Sequence, residues 1–323
     1  MIELNLVEAV RTALHDAMRV DESVIVLGED VGIDGGVFRA TDGLMKEFGP
    51  ERVLDTPLSE GLFAGLALGA ASQGLRPVVE FQFLGFMLPA LDQLVNHLGR
   101  MRNRTRGRLT CPLVLRAPYG GGIHAPEHHS ESTEAMFAHV PGIKLVVPST
   151  PARAYCLLRA AIDDPDPVVF LEPKRLYRAI REQVDDTGCP LHNAIIERPG
   201  DDVTLVSWGA MMQECRQAAE LLASEGVGVE LIDVVCLKPI DARTIVDSVR
   251  RTGRCVVVQE APRTAGFAAE VLAVIAEQAL SSLVAPLRRV AGHDSIMPLP
   301  RLEAHYMPTT RRVITTLREV LDY

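Results

Sequence analysis

Asp55-Thr56-Pro57-Leu58-Ser59-Glu60-Gly61-Leu62-Phe63-Ala64-Gly65-Leu66-Ala67-Leu68-Gly69-Ala70 opens with turn residues and runs on as an apolar helix. Ser59 stands where a capping side chain belongs. A single carboxylate, Glu60, starts the helix. Gly61, Gly65 and Gly69 recur every four residues and so share one face. A glycine costs a helix about 1 kcal/mol relative to alanine. Three on one stripe predict that another backbone or a ligand comes very close there. Burial favours the acid form of a carboxyl and a helix N-terminus favours the carboxylate. A glutamate between those two pulls can exchange a proton with a ligand. The plain alternative is a buried helix with an N-terminal charge.

Outward from this stretch, strands and helices alternate. Val24–Leu27 reads as a buried strand, Val53–Leu54 as the strand into the organising helix, and residues 77–81, 113–116, 144–147 and 168–171 as further strands. Helical periodicity covers residues 4–18, 41–48, 89–102 and 152–162. That order predicts a parallel α/β sheet. Polar and turn residues from 182 to 202 predict a linker. A second α/β unit follows, with strands at 203–207, 229–234, 255–258 and 287–290. The division is residues 1–185, a linker at 186–202, and 203–323.

The length, 323 residues, suits two domains, and 47% hydrophobic with 23% charged residues suits a large core. A net charge of −9 argues against nonspecific nucleic-acid binding and weakly favours a basic protein partner. The longest apolar run, residues 62–71, is about half of a bilayer span. The N-terminal MIELNLVEAVRTALHDAM has acids where a signal peptide has a basic region, so a cytoplasmic chain is expected, with no membrane contact. Six scattered cysteines show neither zinc spacing nor a close pair; reduced structural thiols are expected, none flanked as a nucleophile. The basic run Arg100, Arg102, Arg104, Arg106, Arg108 could meet phosphate or RNA; a solvated or subunit-facing surface is the reading preferred.

Several residues could carry chemistry. Glu29 follows the first strand, at the strand end where α/β folds hold ligands. Gln82 and Phe86 lie beyond another strand end. In Gly120-Gly121-Gly122-Ile123-His124-Ala125-Pro126-Glu127-His128-His129-Ser130, three histidines and neighbouring acids on a glycine-led loop read as a site rather than as zinc ligands. Asp163-Asp164-Pro165-Asp166 reads as a solvated turn.

GEDVG (residues 28–32), GGVFR (35–39), DTPLSE (55–60), HHSES (128–132), LEPKRLYR (171–178) and TGRCVVVQEAPR (252–263) together resemble the β subunit of the thiamine-diphosphate-dependent decarboxylating component of 2-oxoacid dehydrogenase complexes. The resemblance runs nearly end to end. It implies an α/β protein of two parallel-sheet domains, a pyrimidine-binding fold followed by a transketolase C-terminal-like domain. It implies that Glu60 exchanges a proton with the cofactor's aminopyrimidine, that Glu29 sets the polar network around it, and that Leu58, Gln82 and Phe86 contact the ring, Phe86 by stacking. His129 would hydrogen-bond substrate or the dihydrolipoyl acceptor. In many relatives the turn matching Ala161, Asp164 and Asp166, with the strand at Leu113, binds a structural K⁺ largely through carbonyls; this chain has Asp166 where relatives often carry Asn. The chain lacks the Gly-Asp-Gly and downstream Asn motif for Mg²⁺ and diphosphate. An α subunit would therefore supply that half in an α₂β₂ heterotetramer that acylates lipoyl groups of a dihydrolipoyl acyltransferase core. Pyruvate and branched-chain 2-oxoacids both stay open as substrates. An acetoin dehydrogenase β subunit and a non-catalytic assembly subunit are the alternatives.

Overall fold

The computed structural model describes residues 2–323. They form two compact units, residues 2–119 with Met136–Leu191, and Gly120–Ala135 with His192–Tyr323. None of the helices among the described residues is long and apolar enough to cross a membrane.

The first unit contains strands β1 (Ile2–Asn5), β2 (Val24–Gly28), β3 (Val53–Asp55), β4 (Arg76–Glu80), β5 (Val114–Tyr119), β6 (Lys144–Val146), β7 (Val168–Pro173) and β8 (Arg181–Val184). Its main sheet runs β6-β7-β5-β4-β2-β3, all parallel. β1 and β8 form a separate antiparallel ribbon. The central strands β2, β4, β5 and β7 are buried almost throughout, as a sheet covered on both faces requires. Helix Leu6–Val20 begins at a capping box, in which Asn5 Oδ1 accepts from the Glu8 N–H and the Glu8 carboxylate accepts from the Asn5 N–H.

Register decides what meets at the carboxyl edge. Gly28 pairs with Asp55 on one side and Glu80 on the other, and Glu80 pairs with Arg116. Three charged side chains therefore stand in one row across β3, β2, β4 and β5.

The organising helix spans Glu60–Ser72 and buries Phe63, Ala64, Ala67 and Ala71. Ser59 occupies the cap position, but its side chain makes no capping bond. A Cβ on Gly61 would lie 3.5 Å from the Pro89 carbonyl and one on Gly65 3.4 Å from Gln93, while Gly69 faces open space. The very close approach expected along the glycine row is thus not made within this chain. Leu58, Leu62 and Leu66 stay 72%, 59% and 52% exposed, an apolar stripe on the same helix and its entry.

The continuous helix expected over residues 89–102 is instead split into Leu84–Ala90 (3₁₀), Leu91–Asn96, Leu98–Arg100 (3₁₀) and Met101–Arg104. The loop at Pro141–Gly142 crosses at Gly99, where a Cβ would lie 2.6 Å from the Pro141 carbonyl. Most of the basic run is exposed, and Arg102 is paired with Asp166 at 2.7 Å.

Two cysteines depart from the reduced state expected. Cys156 and Cys189 are joined, their Cα atoms 5.6 Å apart across 33 positions, because residues 185–191 fold back on helix Pro151–Asp163. The remaining four are buried thiols. Burial pushes Cys111 and Cys255 up to about 12 and Cys215 higher, which disqualifies them as nucleophiles.

The second unit contains β9 (Ile195–Arg198), β10 (Val203–Ser207), β11 (Val229–Asp233), β12 (Cys236–Lys238), β13 (Cys255–Pro262) and β14 (Arg288–Gly292). The sheet order is β14-β13-β10-β11-β9, parallel except for β9. Residues 195–198, expected as linker, are thus an edge strand. The histidine loop, Gly120–Ala135, also belongs to this unit although it lies within the first 185 residues. Side-chain hydrogen bonds, which carry no sequence period, place it there.

Candidate active site

In the first unit, the candidate residues gather where β2, β3 and β4 end. Asp55, the first residue of DTPLSE, accepts the N–H groups of Gly32 at 2.6 Å and Ile33 at 3.1 Å, and so ties the glycine-rich loop to the organising stretch. Asp30 takes a left-handed backbone, φ +58°, and accepts a hydrogen bond from Gln82 Nε2 at 3.1 Å. Glu29 is half-buried. Burial, then the charges of Asp30 and Glu60, raise its pKa. The structure thus brings Glu29 and Glu60 within electrostatic reach of each other. Glu60 itself is half-buried at the first position of its helix.

Phe86 belongs to an aromatic row. It meets Phe83 edge-on at 5.5 Å, Phe83 meets Phe38 at 5.5 Å, and Phe38 meets Tyr177 at 5.1 Å.

Behind this edge lies a network that the sequence reading missed. The fully buried Arg116 donates from Nε to Glu172 Oε1 at 2.7 Å and from Nη2 to Oε2 at 2.8 Å. Its Nη1 donates to Glu80 Oε2. Tyr177 donates its hydroxyl to Glu172 at 2.6 Å. Burial raises the Glu80 pKa, and Arg116 opposes that. One guanidinium thus joins the ends of β4, β5 and β7. The available signal was a charged residue inside or ending an apolar run: Arg116 after Leu113–Leu115, Glu80 after Val78–Val79.

At the turn Ala161–Asp166 the acidic side chains are held by cations of this chain. Lys144 Nζ holds both Asp164 oxygens at 2.7 and 2.6 Å, and Arg102 holds Asp166. The Leu113 carbonyl accepts the Val168 N–H, and the Ala161 carbonyl the Asp164 N–H. Among the described residues no group of three or more His, Cys, Asp or Glu side chains could hold a metal ion. The Asp164 and Asp166 side chains are thus paired with cations of this chain, while the Leu113 and Ala161 carbonyls each accept one N–H and keep a second lone pair.

The second unit carries the histidine loop. Glu127–Ser130 is a 3₁₀ turn, and Ser130 Oγ closes it onto the Ala125 carbonyl at 2.6 Å. His129 Nδ1 lies 3.2 Å from the Pro126 carbonyl. A carbonyl only accepts, so this contact calls for a hydrogen on Nδ1. His128 is exposed, 3.9 Å from Glu131. Beneath the loop, Glu134 is fully buried and accepts from the Trp208 indole at 3.3 Å.

Burial, reinforced by the Glu260 charge against an opposing backbone hydrogen bond, pushes Glu134 up to about 8. Since the folded value lies above the ordinary 4.5, Glu134 contributes its stability in full below that pH and loses it as pH rises through about 8. Glu134→Gln is expected to flatten that decline and to exceed the parent by about 2–5 kcal/mol at pH 9. Urea unfolding at pH 6 and pH 9 checks this. An equal offset at both values would mean that Glu134 is not a buried acid.

Two family models match the chain, the transketolase pyrimidine-binding domain over residues 3–180 and the transketolase C-terminal domain over 192–313. A solved structure described as a split gene transketolase, an inactive beta4 tetramer, aligns with a TM-score of 0.82 and 23% identity, covering 99% of this chain and 98% of its own. Fold and models together define a transketolase-like protein. The pyruvate dehydrogenase E1 component β subunit of Bacillus subtilis is 46% identical over 100% of both chains. That of Acholeplasma laidlawii is 46% identical over 99% of this chain and 98% of its own. The chain belongs to the family of pyruvate dehydrogenase E1 component β subunits.

Proposed function

We propose that this chain is the β half of a thiamine-diphosphate-dependent 2-oxoacid dehydrogenase and works with an α subunit. The single observation that carries the reading is the Glu29–Glu60 pair. Two carboxyls share one edge of the sheet, and burial with the charges of Asp30 and Glu60 makes Glu29 harder to ionise than an ordinary glutamate. Paired carboxyls of this kind can hold and exchange a proton with a bound ring.

The donor set suits an aminopyrimidine. Glu60 offers a carboxyl to a ring nitrogen, Phe86 an aromatic face, Leu58 an apolar contact and Gln82 a neighbouring amide. Thr56 Oγ1, four residues before Glu60, is buried without a hydrogen-bond partner. When bound, thiamine diphosphate supplies the electron sink for decarboxylation. The chain's own part is to hold the ring, to keep a proton exchanging at the Glu60 carboxyl, and to supply His129 for acyl transfer.

The bare stripe of Leu58, Leu62 and Leu66 beside Glu60 supports a second subunit closing the site. We assign the diphosphate half, with its Mg²⁺, to that α subunit, in an α₂β₂ assembly that passes its acyl group to a lipoyl-bearing acyltransferase core.

Reconstitution tests this. The chain alone is expected to release no CO₂ from pyruvate or from branched-chain 2-oxoacids, and the chain with a matching α subunit to release it from at least one. Acetoin cleavage without CO₂ would move the assignment to acetoin, and silence with every substrate would leave a scaffold.

A further inference from the structure

The glycines that open the histidine loop have carboxylates against them. Glu260, at the end of β13, accepts the Gly121 N–H at 2.5 Å and the Ser132 hydroxyl at 2.9 Å through Oε1. Glu303, on helix Pro300–Tyr306, accepts the Gly122 N–H through Oε1. Its Oε2 accepts the His124 N–H at 3.1 Å and lies 2.7 Å from His124 Nδ1. Both carboxylates are 3–4% exposed. A Cβ on Gly120 would lie 2.7 Å from Glu260 Oε1, and one on Gly121 2.7 Å from Met297 and 3.1 Å from Glu303 Oε1. The loop can sit on its acids only without side chains there.

The clasped backbone is unusual. His124 and Glu127 hold φ values of +61° and +43°, a region that residues with a Cβ avoid. Such conformations persist where surrounding contacts over-determine them, and they collect at functional positions. Here the contacts are charge-assisted bonds to two buried carboxylates, stronger than ordinary amide bonds. His129 follows Glu127 by two residues, in the turn that this strained segment leads into.

We propose that Glu303 and Glu260 are positioning residues for acyl transfer: they clamp Gly121, Gly122 and His124 and thereby fix where His129 stands. The proposal rests on the reading of His129 given above. It gives the second unit a part in the reaction besides assembly. Neither glutamate touches the reacting groups. Glu303 takes three donors on two oxygens, so a carboxamide in its place turns an N–H donor toward one of them and opens that side of the clasp.

The test uses the enzyme reconstituted with its α subunit. Glu303→Gln is expected to speed hydrogen exchange at least tenfold in peptides covering residues 120–130, with exchange elsewhere unchanged. Acyl transfer to a lipoyl domain is expected to fall about tenfold more than decarboxylation read with an artificial electron acceptor. Combined with His129→Ala, Glu303→Gln is expected to add little, because both act through one side chain. Glu303→Asp, which keeps the charge, is expected to recover part of the rate. Unchanged exchange overturns the clasp. Faster exchange with both partial reactions lowered equally, or losses that multiply in the double variant, overturns the positioning role. If His129→Ala alone leaves acyl transfer at the parent rate, the reading of His129 falls and takes the proposal with it, and the fault is then seen at His129 itself.

Discussion

Glu60→Gln is expected to lower CO₂ release by the reconstituted enzyme about 10²–10⁴-fold, the range of a positioned acid–base group. The substitution keeps the length and shape of a half-buried residue at the first position of its helix, so folding and assembly with the α subunit should persist. What is lost is proton exchange. A carboxyl can hold or release a proton against a ring nitrogen, and a carboxamide cannot. Glu29→Gln is expected to cost less, since burial and two nearby charges already favour its neutral form. The readings are CO₂ release under saturating 2-oxoacid and circular dichroism of the assembled protein. A Glu60→Gln enzyme at full rate would remove the central assignment.

Arg116→Met is expected to cost about 3–5 kcal/mol of stability, the usual penalty for stripping one partner from a buried ion network. Arg116 is fully buried, and so is Glu172, with Glu80 nearly so. Without the guanidinium, Glu172 keeps the Tyr177 hydroxyl as a donor while Glu80 loses its bond to Arg116, and two carboxyls are left in the interior without their cation. Arg116→Lys is expected to recover little, because one ammonium cannot make the two parallel bonds to Glu172 and reach Glu80 as well. Adding Glu80→Gln to Arg116→Met should return part of the loss, since it removes one of the stranded charges. Denaturant unfolding of all four proteins measures this. A loss below about 1 kcal/mol would mean that water reaches the network. The network joins the strands on whose ends Gln82 and Phe86 are carried, so its loosening should also raise the KM for cofactor in any variant that still folds.

The placement of several candidate residues was legible because its signals are local. Glu60 starts a helix directly after a strand, and that neighbourhood is written in consecutive residues. Glu29 follows a strand end for the same reason. The histidine loop announced itself by composition. Other parts were not legible. Ser59 looked like a cap and makes no capping bond, since the choice between a side-chain cap and another rotamer is made by the surroundings. The acidic turn looked solvated, yet Lys144, 20 positions away, holds Asp164. Cys156 and Cys189 looked unrelated because the fold-back that joins them has no period to read.

By itself the sequence determined the alternation of strands and helices, the two α/β units and the identity of the groups at the strand ends, because periodicity and turn chemistry act over a few residues. Only the tertiary structure decided which of those groups meet. Sheet register set Asp55, Glu80 and Arg116 in one row, and chain closure over 139 and 181 positions set Glu260 and Glu303 against the histidine loop. Such pairings depend on burial and on the strand each residue happens to lie beside, and neither is encoded in any short window of the chain.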